Sequence, residues 1–199
     1  PDKWREGAMY AIGFEGASDS IKTAITEFCP ILNRLAKAAA DGAGGRALER
    51  WFGIQGKSPQ MLSKLKEFDR FLNYQCTRLT FVVKPLGATV DCAEVVNGDL
   101  AQVIRNLPGD GGRHFLPSGI RIFILPAFAG QSRQEAFNTL AHEVSHRVLD
   151  TTDRPVVNGV KKQTYGKQAA LALAAADGAA AMTCAENWGY FFMDMLGTA

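Results

Sequence analysis

Thr139-Leu140-Ala141-His142-Glu143-Val144-Ser145-His146-Arg147-Val148-Leu149 reads HExxH inside an apolar segment of helical period. On an α-helix the side chains at i and i+4 stand one above the other on the same face. His142 and His146 can therefore offer two imidazole nitrogens to one metal ion, with Glu143 beside them to take a proton from water. Upstream, Ser132-Arg133-Gln134-Glu135 has capping-box spacing and marks where the helix starts. Phe137, Leu140, Ala141, Val144 and Val148 form its apolar face, and the histidines flank that face as a ligand pair flooring a cleft should. The plain alternative is a surface helix with both histidines paired to Glu143 or Asp150. The chain has only three histidines, and two of them fall at ligand spacing on an apolar helix, which favours the metal.

Working outward, Ile21 to Ala40 repeats apolar residues at helical spacing, with Pro30 expected to kink or divide the helix. Asp41 to Gly45 is a flexible stop. Arg46 to Trp51 reads as a second helix, and Ser58-Pro59 opens a third whose buried stripe is Met61, Leu62, Leu65, Phe68, Phe71 and Leu72. The period then changes. Arg78 to Lys84, Thr89 to Val96 and Ile120 to Leu125 read as short strands, the last halted by Pro126. Asp99 to Leu107 reads as a further helical piece, and Pro108 to His114 as a loop. Helices outnumber strands and the strands are clustered, so the expected class is α+β, mostly helical with a small sheet. The expected division is a helical extension over residues 1–45 and a zincin-like catalytic domain over 46–199.

The formal net charge of +2 is too small to argue for a nucleic-acid or membrane partner. No apolar run is long enough to span a bilayer. Pro1 opens a polar, charged segment in which no signal peptide is read, and a start without Met is expected of an excised domain or a processed chain. The four cysteines, Cys29, Cys76, Cys92 and Cys184, form no CxxC. They read as buried thiols or as one or two bridges, with Cys76 and Cys92 the pair to test.

A catalytic zinc needs a third protein ligand and an open position. The metzincin pattern HExxHxxGxxH fails, because no histidine follows His146. Glu186, from a following helix, would make a gluzincin-type site. An aspartate soon after the motif is the other option, and Asp150-Thr151-Thr152-Asp153 stands there.

Here the chain resembles the deuterolysin-type aspzincin metallopeptidases, and within them the lysine-specific (peptidyl-Lys) metalloendopeptidases. Their pattern is HExxH followed by GTxDxxYG, in which the Asp is the third zinc ligand and the Tyr assists the transition state. The resemblance assigns the ligand role to Asp153, with Asp150 in the place of the family's Gly. It assigns the assisting role to Tyr165, which precedes Gly166 but follows an insertion, Arg154 to Thr164, where the family has two residues. Ala185-Glu186-Asn187-Trp188-Gly189-Tyr190-Phe191 is similar to the family's ADNYEYF segment, Ile122 to Phe128 to the strand and "aF" element before the motif helix, and Arg50-Trp51-Phe52-Gly53 to its WFG signature. Leu125 stands where secreted relatives carry a Cys, so no inherited disulfide is expected there.

The family's lysine preference is attributed to two acids of the ADNYEYF segment. Glu186 corresponds to the first and Gly189 to the second, so the resemblance implies a substrate-binding role for Glu186 and a weakened preference for a basic residue. His114, Arg121 and Arg147 read as solvated rather than substrate groups. Trp51 with Phe52, and Trp188 with Tyr190, read as core.

The reading is thus a zinc metalloendopeptidase, with His142, His146 and Asp153 on Zn2+, Glu143 as general base and acid, and Tyr165 as oxyanion donor. The expected partner is a protein or peptide substrate, and the expected location is secreted or exported, within a larger toxin or effector. A gluzincin-type peptidase and an inactive zincin-fold binding module are the alternatives.

Overall fold

The computed structural model describes residues 12–74, 79–83, 93–94, 120–124 and 126–197. The proposed Cys76–Cys92 pair, the helix at 99–107 and the loop carrying His114 lie outside them.

The chain begins with β1 (Ile12–Glu15), followed by helices α1 (Asp19–Ala40), α2 (Gly45–Phe52) and α3 (Pro59–Tyr74). Strands β2 (Leu79–Val83), β3 (Ala93–Glu94) and β4 (Ile120–Ile124) come next, then the motif helix α4 (Arg133–Leu149). A small hairpin, β5 (Val156–Val157) and β6 (Val160–Lys161), precedes α5 (Lys167–Ala176), the short α6 (Gly178–Ala181) and α7 (Ala185–Leu196). Four strands form one sheet in the order β1-β2-β4-β3; β1, β2 and β4 are parallel, and β3 runs antiparallel to β4. The class is α+β, mostly helical with one small clustered sheet. β1 was not legible in the sequence because four residues, Ile-Gly-Phe-Glu, carry too short an alternation to stand out.

Pro30 does not divide α1, which runs unbroken for 22 residues. A proline inside a helix costs roughly 3 kcal/mol. Against that, Ile25, Phe28, Leu32 and Leu35 are buried on one face, and Phe28 meets Phe137 of α4 edge-on at 5.6 Å. This helix packs on α3 and α4 and belongs to the same hydrophobic cluster as the motif helix. In α3 the buried stripe is Met61, Leu65, Phe68 and Leu72, whereas Leu62, expected there, is exposed. Positions 61, 65, 68 and 72 follow the helical period, and 62 falls on its flank. Ser58 Oγ accepts from the Met61 N–H at 3.1 Å, the start signal that Ser58-Pro59 announced.

The core under the site is aromatic. Phe52, Phe68, Trp188, Phe191 and Phe192 are fully buried and in mutual ring contact at 4.8–6.1 Å. Trp51 stacks on Tyr190 at 5.0 Å and donates its indole N–H to Asp194 at 2.7 Å. Asn187, wholly buried in α7, donates to the Trp51 carbonyl at 2.7 Å and the Ala170 carbonyl at 2.9 Å. One amide thereby locks α2, α5 and α7 together and satisfies carbonyls that burial would otherwise leave unpaired. Cys29 and Cys184 are buried, and burial pushes both thiols up to about 12, which makes them unreactive.

The glycine of Trp51-Phe52-Gly53 has a specific cause. Gly53 has φ +57°, and a Cβ there would stand 2.5 Å from the Ala174 carbonyl oxygen of α5. Gly53→Ala combines a left-handed backbone penalty with a backbone clash, so it should destabilise by about 2 kcal/mol or more. Denaturant unfolding of the variant checks this; stability equal to wild type would show that α2 and α5 are not so closely apposed.

Candidate metal centre

Both bonds of the expected capping box form. The Glu135 N–H donates to Ser132 Oγ at 3.3 Å, and the Ser132 N–H to Glu135 Oε2 at 2.9 Å. All five residues assigned to the apolar face of α4 are buried. The helix ends at Asp150, which takes the left-handed conformation (φ 55°, ψ 41°). A glycine is the usual occupant of such a cap and Asp tolerates it, which explains the Asp-for-Gly exchange at this position. The chain then turns back. The Thr152 N–H donates to the Thr183 carbonyl at 2.8 Å and the Ala185 N–H to the Thr152 carbonyl at 3.2 Å, pinning the turn against the start of α7.

That return carries Asp153 over the motif helix. His142 Nε2 and His146 Nε2 are 3.1 Å apart, and Asp153 Oδ1 lies 3.1 Å from the first and 3.2 Å from the second. Among the described residues, His142, His146 and Asp153 are the group able to hold a metal ion. A tetrahedral zinc with ligand bonds of about 2.0–2.2 Å keeps its ligand atoms roughly 3.3–3.6 Å apart, so a triangle of this size is close to what such an ion needs.

The outer nitrogens decide where the ring protons sit. His146 Nδ1 faces the Thr151 carbonyl at 2.8 Å, and His142 Nδ1 faces Glu186 Oε2 at 3.1 Å. A carbonyl and a carboxylate can only accept, so in neutral imidazoles both Nδ1 atoms carry the hydrogen and both Nε2 atoms present lone pairs. Asp153 Oδ1 is buried and faces both Nε2 atoms. Three lone-pair atoms thus face one point, an arrangement that repels itself unless a cation sits among them. The donor set of two imidazoles and one carboxylate suits zinc.

Protonation tells the same story. Burial pushes the His142 pKa down, but Asp153, Glu186 and Glu143 outweigh it and raise it to about 10. Asp153, which burial alone would raise, is held well below the usual carboxylate range by the two histidines. The carboxylates that favour the protonated ring are those that would favour a metal cation at this point. Glu143 is buried, with Oε1 3.6 Å from His142 Nε2, on the metal-facing side of the ring.

Of the remaining expected residues, Glu186 reaches this centre. Glu186 lies behind His142, on the ring edge away from Asp153; its Oε1 accepts from the Gly166 N–H at 2.7 Å. Tyr165, next to that glycine, is partly exposed at the start of α5. Arg147 sits in the last turn of α4, while the Arg121 side chain and His114 are outside the described residues. Two supporting groups went unread in the sequence. The Thr151 carbonyl orients His146, and Ser145 Oγ links the His142 carbonyl at 2.7 Å to Thr151 Oγ1 at 2.9 Å. No sequence signal marks a backbone carbonyl as an orienting group. The inserted hairpin did have a signal: Asn158-Gly159, both at positive φ, is the dipeptide of a two-residue hairpin turn. The Thr164 N–H closes its base on the Asp153 carbonyl at 3.0 Å, so the insertion leaves the ligand and returns to it.

In sequence the chain matches no protein-family model and no curated protein. In structure it is similar to a zinc peptidase from Grifola frondosa, with a TM-score of 0.60 and 19% identity over 90% of this chain and 98% of that one. The chain has a zinc-peptidase fold. The resemblance read from its motifs is borne out at the level of the fold, and the three ligand candidates meet inside it.

Two outcomes are expected of this centre. Wild type is expected to bind one zinc per chain and His146→Ala and Asp153→Ala to bind none, as elemental analysis after dialysis would show; full retention in either removes that residue from the ligand set. The metal-free protein should also lose stability in alkali. His142 has a folded pKa near 10 against 6.5 in the open chain, so its contribution is complete below pH 6.5 and disappears as pH rises towards 10. Thermal unfolding in chelator across that range tests it, and a flat or rising profile would contradict the proton held at His142.

Proposed function

We propose that the chain is a zinc-dependent endopeptidase of the aspzincin type. The observation that carries this is the convergence of His142 Nε2, His146 Nε2 and Asp153 Oδ1 on one point, with the buried Glu143 carboxylate 3.6 Å from the first of them. Among the described residues three protein donors converge, the count of a catalytic site. Zinc, when bound, lowers the pKa of water from 15.7 towards about 7 and polarises the scissile carbonyl.

The chain's own groups do the rest. Glu143 takes the proton from the attacking water and passes it to the leaving amine, a role its position beside the ligand ring supports. Tyr165 donates to the oxygen on which negative charge develops, a contact that counts because it strengthens in the transition state. Asp153 and the two histidines hold the metal, while Thr151 and Glu186 keep the imidazoles in the tautomer that offers Nε2. The substrate is an unfolded or extended stretch of protein. The catalytic unit is proposed to span residues 46–199, with α1 buttressing the motif helix through Phe28 and Phe137.

A gluzincin-type set is the less favoured arrangement, because Glu186 reaches the outer nitrogen of His142 and Asp153 the inner one. A binding module without turnover would keep the same ligands, and activity distinguishes it. Glu143→Gln should bind zinc as wild type does and lower kcat by about 10²–10⁴-fold. Tyr165→Phe should lower it by about 10²–10³-fold with KM little changed. Both are read from chelator-sensitive cleavage of an unfolded protein. Bound zinc with no cleavage by wild type would favour the binding module, and undiminished turnover in Glu143→Gln would overturn the mechanism.

A further inference from the structure

Glu186 has an unusually constrained setting for a residue that the family resemblance would assign to the substrate. It sits in the first turn of α7, next to the wholly buried Asn187, whose amide is fixed to the carbonyls of Trp51 and Ala170. Trp188, the next residue, donates its indole N–H to the Met182 carbonyl at 3.1 Å. The backbone under Glu186 is therefore held from two sides. Its side chain is only 13% exposed, and each carboxylate oxygen is engaged: Oε1 by the Gly166 N–H at 2.7 Å, Oε2 by His142 Nδ1 at 3.1 Å.

The position at which a second acid would stand is closely packed. Position 189, one turn further along α7, is a glycine against α4. A Cβ there would stand 2.1 Å from Asn138 Oδ1 and 3.1 Å from the Asn138 carbonyl oxygen. The motif helix occupies the space in which a longer side chain at 189 would begin.

We propose that Glu186 is a positioning residue of the metal centre: it holds His142 with Nε2 turned to the metal, ties that ring to the Tyr165–Gly166 turn, and takes no part in selecting a basic substrate residue. The proposal rests on the zinc-peptidase reading above. A carboxylate on the outer nitrogen of a ligand histidine fixes its tautomer and orientation and raises its basicity. Here the same carboxylate also reaches the residue beside Tyr165, so one side chain sets the ligand and the adjoining turn in register. A lysine or arginine head group approaching Glu186 would have to displace His142 or the Gly166 N–H, and it would find no second acid at 189. The extra methylene of Glu over Asp gives the carboxylate reach to the ring.

The test compares wild type, Glu186→Gln and Glu186→Asp in zinc affinity by chelator competition, in the visible absorption of the cobalt(II)-substituted proteins, and in cut sites on an unfolded protein at saturating zinc. Glu186→Gln should bind one zinc about 10–100-fold more weakly and shift the cobalt bands. Its cut sites should match those of wild type, without enrichment of lysine or arginine beside the cut in either. Glu186→Asp, charged but shorter, should fall between the two, and it carries the measurement if Glu186→Gln does not fold. Unchanged zinc affinity and cobalt spectrum in both variants, or a basic preference present in wild type and lost in Glu186→Gln, would overturn the proposal. The affinity and spectral arms need no turnover. A wild type that binds zinc but cleaves nothing therefore defeats the peptidase reading alone, and unaltered affinity in the variants defeats this one alone.

Discussion

Three electron-pair donors pointed at one buried spot repel one another, and the fold around His142, His146 and Asp153 exists to keep them there. Two neutral imidazoles and a carboxylate within 3.2 Å are tolerable only with a cation or a proton among them. The arrangement must therefore be held by groups behind the donors. Thr151 holds His146, Glu186 holds His142, and the tie between Thr152 and the start of α7 holds the turn bearing Asp153. Each is a hydrogen bond on the side away from the metal, so loading the site costs little reorganisation.

Those supports are only as rigid as what they stand on. The buried Asn187 amide and the cluster of Phe52, Phe68, Trp188, Phe191 and Phe192 fasten α7 to α2, α3 and α5. The 22-residue α1, carrying a proline through its middle, lies against the motif helix through the Phe28–Phe137 contact and shares its core. Interactions of this kind are individually modest. Their effect is to remove alternative positions for the few polar groups whose placement decides the chemistry.

Much was legible before any coordinates. HExxH on a capped apolar helix announced two candidate ligands side by side, because helical geometry makes i and i+4 neighbours wherever the helix lies. The capping box at Ser132 and Glu135, the apolar face of α4 and the helix opened by Ser58-Pro59 rest on local rules of the same sort. Expectations failed where a local rule met a tertiary one. Pro30 sits inside an unbroken helix because one face of α1 is buried along its length, and Leu62 is exposed because the neighbouring period, not its own hydrophobicity, chose the buried stripe. The hairpin at Asn158-Gly159 was readable and went unread, its turn signal lying inside a stretch taken as an insertion.

The sequence by itself determined which side chains could bind a metal and that two of them share one helical face, since both follow from residue identity and the helical repeat. Which carboxylate joins them was a tertiary decision. Asp153 and Glu186 are separated by two helices in the chain and both reach His142, one at Nε2 and the other at Nδ1. Only the left-handed turn at Asp150 and the docking of α7 determine which comes to which nitrogen, and no pattern along the chain encodes the edge of an imidazole ring that a distant carboxylate will meet.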